Sequence, residues 1–551
     1  MTTTNTKRLH AFLIVVIMLV LSVSLWVPVY RTAATAGIYR MTFESAGHYL
    51  TLEVLDDDLV HFELGLSPPN NEAIWTTPMI AKTDYPGPST VTAPIPTMIE
   101  TREMRLEIDP NALCVTITDL TREPDFTLTT LCPVVDADSL AGMSFTQEGT
   151  IDLYGLGEQF QRRGGTDGNW LDKQRKVLNR YGNEHSQFNG GSVGNAQFPI
   201  LYALGAETDN YALFLDHVYQ QFWNFKQDPF TVKTAHAPLR GDIMTGPDLP
   251  DLRRDYMELT GHPPVPPKQV FGLWVSEYGY ESWDELTGVL ESLRAENFPV
   301  DGFVLDVQWF GDVTPKSQSQ MGSLAWDETQ FPDPATFIAS LREEHGLGIM
   351  VIEESYVSEA AVGYDEAAAQ GVLVRACEEP TCAPVTLNDW WGVGGMVDWT
   401  DPEGAAWWHD NRRQSLIDAG VIGHWIDLGE PETYDDTAWY YGFPDLDRHS
   451  HADVHNVYNL LWSQSIWDGY QRHQVERRPF ILSRSGTSGS QRYGVSMWSG
   501  DIGANLPSLA AHMNVQMHMA LSGIDYFGSD VGGFHRQALM PGVTVDELYT
   551  I

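Results

Sequence analysis

Basic side chains are few. Only 33 lysines and arginines face 74 aspartates and glutamates in 551 residues, which leaves a net charge of −41 and an isoelectric point near 4.5. Such a surface repels phosphate backbones and anionic headgroups and argues against nucleic-acid partners. The excess reads as a solubilising surface or, alternatively, as life in high salt. Cysteine is scarcer still: four residues in two close pairs, Cys114 with Cys132 and Cys377 with Cys382. An even count with local spacing in an exported chain predicts two disulfides, with free buried thiols as the alternative. A zinc site would need a tighter CxxC pattern, and none exists. Repeats and low-complexity tracts are absent, and with 43% hydrophobic and 11% aromatic residues global disorder is excluded. The length suits two or three domains of roughly 100–200 residues, or about 250 for a (β/α) barrel.

One long apolar run exists. Lys7 and Arg8 precede the 17 residues Ala11 to Val27, which are stopped by Pro28 and followed by the small-residue site Ala34-Thr35-Ala36. Residues 1–36 are therefore expected to be a signal peptide or an uncleaved signal anchor. Either leaves the remainder extracytoplasmic, secreted or membrane-anchored, because basic residues stay inside. Any membrane contact would then run through this segment alone.

From Gly37 to His262 the texture is all-β. Alternating runs such as YLTLEVL, VHFELGL and LCVTITDL, separated by turn residues, predict an N-terminal β-sandwich domain over 37–262. A Gly/Asn-rich stretch, Arg162 to Asn195, is too long for a plain hairpin and predicts a loop that reaches toward a site. The prolines of GHPPVPPKQ, Gly261 to Gln269, mark the boundary. Over 263–551 seven apolar runs follow: FGLWVSE, DGFVLDV, LGIMVIEE, VIGHWIDLGE, RPFILSRSG, GVSMWSGD and IDYFGSDVGG. They alternate with helix-like segments such as Trp283–Glu296, Asp333–Glu344 and His451–His473, the pattern of parallel β/α units buried on both faces. Six of the seven runs carry an acidic residue at or just past the C-terminal end, and the fifth ends in Arg484. Polar residues gathered there are the mark of a TIM-barrel active site.

Carboxylates amid Trp274, Trp309, Trp390, Trp391, Trp425 and Trp498 suit sugars, whose C–H faces stack on indoles while their hydroxyls bond to charged groups. Metal sites usually add histidine or an Asp-x-Asp spacing, which these strand ends lack, so no metal or other cofactor is expected. Glycosidases need one carboxylate as nucleophile and a second as acid/base, about 5–5.5 Å apart for retention.

Six ordered motifs resemble glycoside hydrolase family 31, the α-glucosidase and α-xylosidase family. They are YGLGEQF (154–160), TGPDLPDLRRDYMELTGHPPVPP at the domain junction, GLWVSEYGY, WIDLGEPE (425–432), RSGTSGSQRYGVSMWSGD (484–501) and FGSDVGGF (527–534). The resemblance implies Asp427 as nucleophile and Asp501 as general acid/base. It also implies a substrate pocket built from Asp306, Arg484, Trp391, Trp498 and Asp530, with Glu430 either touching the sugar or supporting its neighbours. Arg484 would contact both the nucleophile and a sugar hydroxyl, the two tryptophans would wall the pocket, and Asp530 would brace it. Asp167 reads as a solvated loop residue, with contact to the +1 sugar as the alternative.

The implied activity is a retaining, exo-acting α-glycoside hydrolase, foremost an α-glucosidase releasing terminal α-linked glucosyl residues from an oligosaccharide or other α-glycoside. An α-xylosidase, sulfoquinovosidase or α-transglucosylase is the alternative within the family. An exported, non-catalytic carbohydrate-binding protein is the alternative outside it. Two departures stand out: Gly429 replaces a frequent asparagine, and the spacing from Arg484 to Asp501 is one residue longer than is common. Only 17 residues follow Phe534, so the expected fold is a β-sandwich followed by a (β/α)8 TIM-type barrel that lacks its last β/α unit, a C-terminally truncated reading frame.

Overall fold

A computed structural model describes residues 31–35, 38–67, 76–135, 141–146, 149–160, 168–175, 181–206, 209–236 and 238–538. The apolar run Ala11–Val27 and Asp167 lie outside them. No described helix is long and apolar enough to cross a membrane. Ala34 and Thr35 of the small-residue site belong to an edge strand, Arg31–Thr35, paired antiparallel with Ile38–Ser45.

Two antiparallel sheets form the N-terminal region, one of eight strands and one of nine. Period-two alternation decides which side chains are inside. In Met104–Asp109 the alternate residues Met104, Leu106 and Ile108 are buried, while Glu107 and Asp109 face water. Phe43, Leu52 and Phe62 of one sheet share a core with Leu106, Val115 and Phe230 of the other. Burying each such side chain contributes about 1.5–3 kcal/mol. Cys114 and Cys132 sit on the neighbouring strands Cys114–Asp119 and Phe126–Val135 and are bonded, with a Cα separation of 4.3 Å, just under the usual range of about 4.4–6.8 Å. Cys377 and Cys382 are bonded across a surface turn, Cα to Cα 5.8 Å.

The Gly/Asn-rich stretch does contain a short hairpin, His185–Phe188 with Gly191–Gly194. Helix Leu249–Thr260, capped by the Asp248 side chain accepting from Asp251 N–H, ends at Gly261 before the proline run.

All seven apolar runs are strands of one parallel sheet in chain order: β1 Leu273–Ser276, β2 Val300–Leu305, β3 Gly348–Glu353, β4 Gly423–Ile426, β5 Ile481–Ser483, β6 Val495–Trp498 and β7 Phe527–Gly528. Helices Trp283–Ala295, Pro334–His345, Tyr458–Arg472 and Leu506–Leu521 alternate with them. This is a sheet-rich domain followed by a TIM-barrel-type domain, and the described residues hold seven barrel strands. The expected helix over His451–His473 is interrupted by a 3-10 turn, His455–Val457. There His455 and Asn456 turn aside to bond the Asn183 and Tyr181 carbonyls. Between β3 and β4 a small antiparallel sheet of Tyr356–Ser358, Gly392–Met396 and Leu387–Asp389 stands over the same end of the barrel.

Candidate active site

Each barrel strand hands its chain to a loop at the C-terminal end, and after β2 and β4 the first carboxylate of the loop accepts from the N–H that follows it. Asp306, just past β2, caps the 3-10 turn Val307–Phe310 by accepting from Val307 N–H at 2.7 Å. Asp427, just past β4, accepts from Leu428 N–H at 2.8 Å. Leu428 is held at φ +56°, a left-handed backbone that costs a bulky residue on the order of 1–3 kcal/mol. That turn leaves Asp427 at the mouth and sends Glu430 behind it. Arg484 follows β5, Asp501 follows β6 and Asp530 follows β7.

Arg484 is the hub. Its Nη1 lies 3.2 Å from Asp427 Oδ1, its Nε donates to Glu430 Oε1 at 2.8 Å, and its Nη2 donates to Glu430 Oε2 at 3.1 Å and Glu432 Oε2 at 2.6 Å. One guanidinium therefore serves three carboxylates. Burial pushes the Asp427 carboxyl up to about 6; Arg484 pulls it down, while Asp501 and Glu430 push it back. Asp306 and Asp530 are both raised to about 7, by burial first and then by the charges of Asp427 and Asp501. Asp427, Asp501, Asp306 and Asp530 are thus electrostatic neighbours at one mouth.

The structure selects one of two open readings and corrects one expected contact. Glu430 is 1% exposed, with both oxygens taken by Arg484, which is the supporting role rather than direct contact with a sugar. Trp391 is not a pocket wall: it is fully buried, stacked on Tyr356 at 5.2 Å. The Tyr356 hydroxyl accepts from Thr433 N–H at 2.8 Å, so Trp391 supports the Asp427 segment from behind. Trp498 is 8% exposed and meets Trp425 edge-on at 5.7 Å. The space that a side chain at Gly429 would need is filled by Asn459, whose Nδ2 comes within 2.4 Å of the Cβ position.

Sequence reading missed Glu432, although it lies in the quoted WIDLGEPE motif. Burial would raise its carboxyl, but His185, 3.7 Å away, and Arg484 together bring it down to about 2. It also missed Glu354, next to the end of β3, whose carboxyl is pushed well up by burial and by Asp427. The described residues include one acidic trio whose oxygens could share a cation, Asp58, Asp251 and Asp255, all within 4.8 Å of one another. It lies on the sandwich and its adjoining helix, not at the barrel strand ends. Burial, then neighbouring carboxylates, raise Asp58 to about 7 and Asp255 to about 8.

Comparison with known proteins adds the family. The profile of the glycosyl hydrolases family 31 TIM-barrel domain matches residues 263–550. Alpha-glucosidase 2 of Bacillus thermoamyloliquefaciens is 25% identical over 418 residues, 72% of this chain and 50% of that protein. An alpha-xylosidase of Saccharolobus solfataricus is 26% identical over 294 residues, 53% of this chain and 37% of its own. Among solved structures, a family 31 dextranase from Flavobacterium johnsoniae in complex with glucose has a TM-score of 0.77 at 20% identity, over 92% of this chain and 61% of that one. A soil-metagenome alpha-xylosidase in complex with xylose has a TM-score of 0.72 at 20% identity, over 91% and 72%. The chain thus spans half the length of the first relative. With the profile match running through all seven barrel strands and more than half of the residues, this chain belongs to glycoside hydrolase family 31.

Proposed function

We propose that the chain carries the catalytic centre of a retaining, exo-acting α-glycoside hydrolase, foremost an α-glucosidase acting on terminal α-linked glucosyl residues outside the cytoplasm. The observation that carries this reading is the unequal treatment of two neighbouring carboxylates. Asp427 is clamped by Arg484, while Asp501, half-buried at the end of β6, bears on it electrostatically. In the first step the ionised Asp427 attacks the anomeric carbon, the glycosidic bond breaks, and Asp501 gives its proton to the leaving oxygen. In the second, Asp501 takes a proton from water, which displaces Asp427 and releases the sugar with its α configuration kept. Asp306 would hold sugar hydroxyls, Asp530 would brace the site, and Arg484 keeps Asp427 charged and aimed.

Similarity to alpha-xylosidases at comparable identity supports an α-xyloside as the second substrate. Nitrophenyl α-glucoside and α-xyloside, assayed side by side, decide between them. NMR of the first-formed product should show the α-anomer, and the β-anomer would sink the retaining mechanism. Asp501→Ala should lose about 10²–10⁴-fold on unactivated glycosides and less on activated aryl ones, with azide restoring turnover. Equal loss on both, in a folded variant, would remove Asp501 from the acid/base role.

A further inference from the structure

The hairpin His185–Gly194 comes from the N-terminal region yet lies along the barrel loop that follows β6. Ser192 N–H donates to the Asp501 carbonyl at 2.7 Å, and Gly194 N–H donates to the Ser499 carbonyl at 3.1 Å. Beyond Asp501 the contact continues. Phe188 and Val193 pack on Ile502, and Asn505 Nδ2 donates to the Asn189 carbonyl at 2.8 Å. Main chain meets main chain here because side chains are missing. A Cβ on Gly191 would lie 2.2 Å from Gly503 N and 2.5 Å from the Asp501 carbonyl oxygen. A Cβ on Gly194 would lie 2.4 Å from Glu158 Oε2, and one on Gly503 2.5 Å from the Asn189 oxygen. Gly191 has no left-handed backbone to explain it, so close approach is the reason for glycine at that position.

We propose that this hairpin is a positioning element for Asp501, fixing the acid/base loop through main-chain bonds that the close approach at Gly191, with Gly194 and Gly503, makes possible. The proposal rests on the acid/base reading of Asp501 and deepens it. The hairpin supplies no group to the reaction. It sets where the Asp501 backbone stands, and so where its carboxyl meets the leaving oxygen. Adding a methyl at Gly191 forces the two segments apart by on the order of 1 Å, a displacement that costs about 10²-fold when it falls on a reacting group.

The test is a leaving-group series. kcat/KM is measured for aryl α-glycosides of graded phenol acidity with the parent chain, Gly191→Ala, Phe188→Ala and Asp501→Ala. Protonation matters most for poor leaving groups, so losing it steepens the dependence on phenol acidity. Partial unfolding lowers every rate by one factor and leaves the slope alone, so the slope separates positioning from stability. The expected result is a steep slope for Asp501→Ala, a slope approaching it for Gly191→Ala with about 10²-fold loss on the poorest leaving group, and a smaller steepening for Phe188→Ala. Parent-like slopes in both hairpin variants, beside a steep Asp501→Ala, would overturn the positioning role while leaving the acid/base reading intact. A parent-like slope in Asp501→Ala itself would overturn that reading and the hairpin proposal with it.

Discussion

Glu353 ends β3 and Asp427 follows β4, the adjacent strand, so two carboxylates leave the same end of the same sheet side by side. Their surroundings differ in charge. Glu353 accepts from Arg413 Nε at 2.8 Å and meets His424 Nδ1, whose other nitrogen bonds the Tyr470 hydroxyl at 2.8 Å. Burial would raise its carboxyl, yet Arg413 and His424 hold it at about 2. Asp427 shares a single guanidinium with Glu430 and Glu432, faces the charge of Asp501, and sits at about 6. Glu353 is the more deeply buried of the two, 1% exposed against 15% for the Asp427 side chain, and yet its carboxyl is the lower. The cations available per carboxylate decide which one is fixed structure and which one remains responsive.

The largest effect expected from this contrast is on turnover. Asp427→Ala should lower kcat/KM by on the order of 10⁴-fold or more while the protein unfolds at the same denaturant concentration or a higher one, because an under-compensated buried charge is gone. An equally large loss of stability would place Asp427 with Glu353 as a structural group. Next, Arg413→Met should cost about 3–5 kcal/mol in urea titration by stranding Glu353, whose partner it is. A cost under about 1 kcal/mol would show that the pair is not compensated as described.

The third expectation is a pH limb. The nucleophile must be ionised, so kcat/KM should fall as pH drops through about 6, tenfold per unit beyond it. An acid limb near pH 4 would mean that Arg484 outweighs burial at Asp427. The smallest effect is on stability. Asp306, Asp530 and Asp427 are raised above their unfolded values, so each favours folding below about pH 4 and loses that contribution as pH climbs through about 6 to 7. Glu353 and Glu432 are lowered and work in the opposite sense: their contribution stands above about pH 4.5 and is lost as pH falls toward 2. Thermal midpoints should therefore drift down between pH 5 and 8 (a drift upward would reverse the assignment), and fall below about pH 3.

The barrel strands were legible because each is a short apolar run bounded by polar residues, and the mouth was legible because the carboxylates fall just past those runs. The motif alone puts Trp391 at the pocket wall and leaves Glu430 between contact and support, and burial sets both behind the site. Nothing local separates an indole stacked on Tyr356 from one facing a sugar. The partners that decide it come from distant segments: Glu430 meets Arg484 54 residues away, Glu353 meets Arg413 60 residues away, and Ser192 meets Asp501 from the other domain.

The sequence by itself determined the order of the seven strands, the family and the presence of Asp427, Arg484 and Asp501 at strand ends, since periodicity and motif spacing are local properties of the chain. Tertiary structure alone decided which acids are compensated, which tryptophans see water, and that a hairpin from the first domain lies against Asp501. Burial and charge pairing depend on what the fold brings within a few ångströms, and no spacing along the chain encodes that distance.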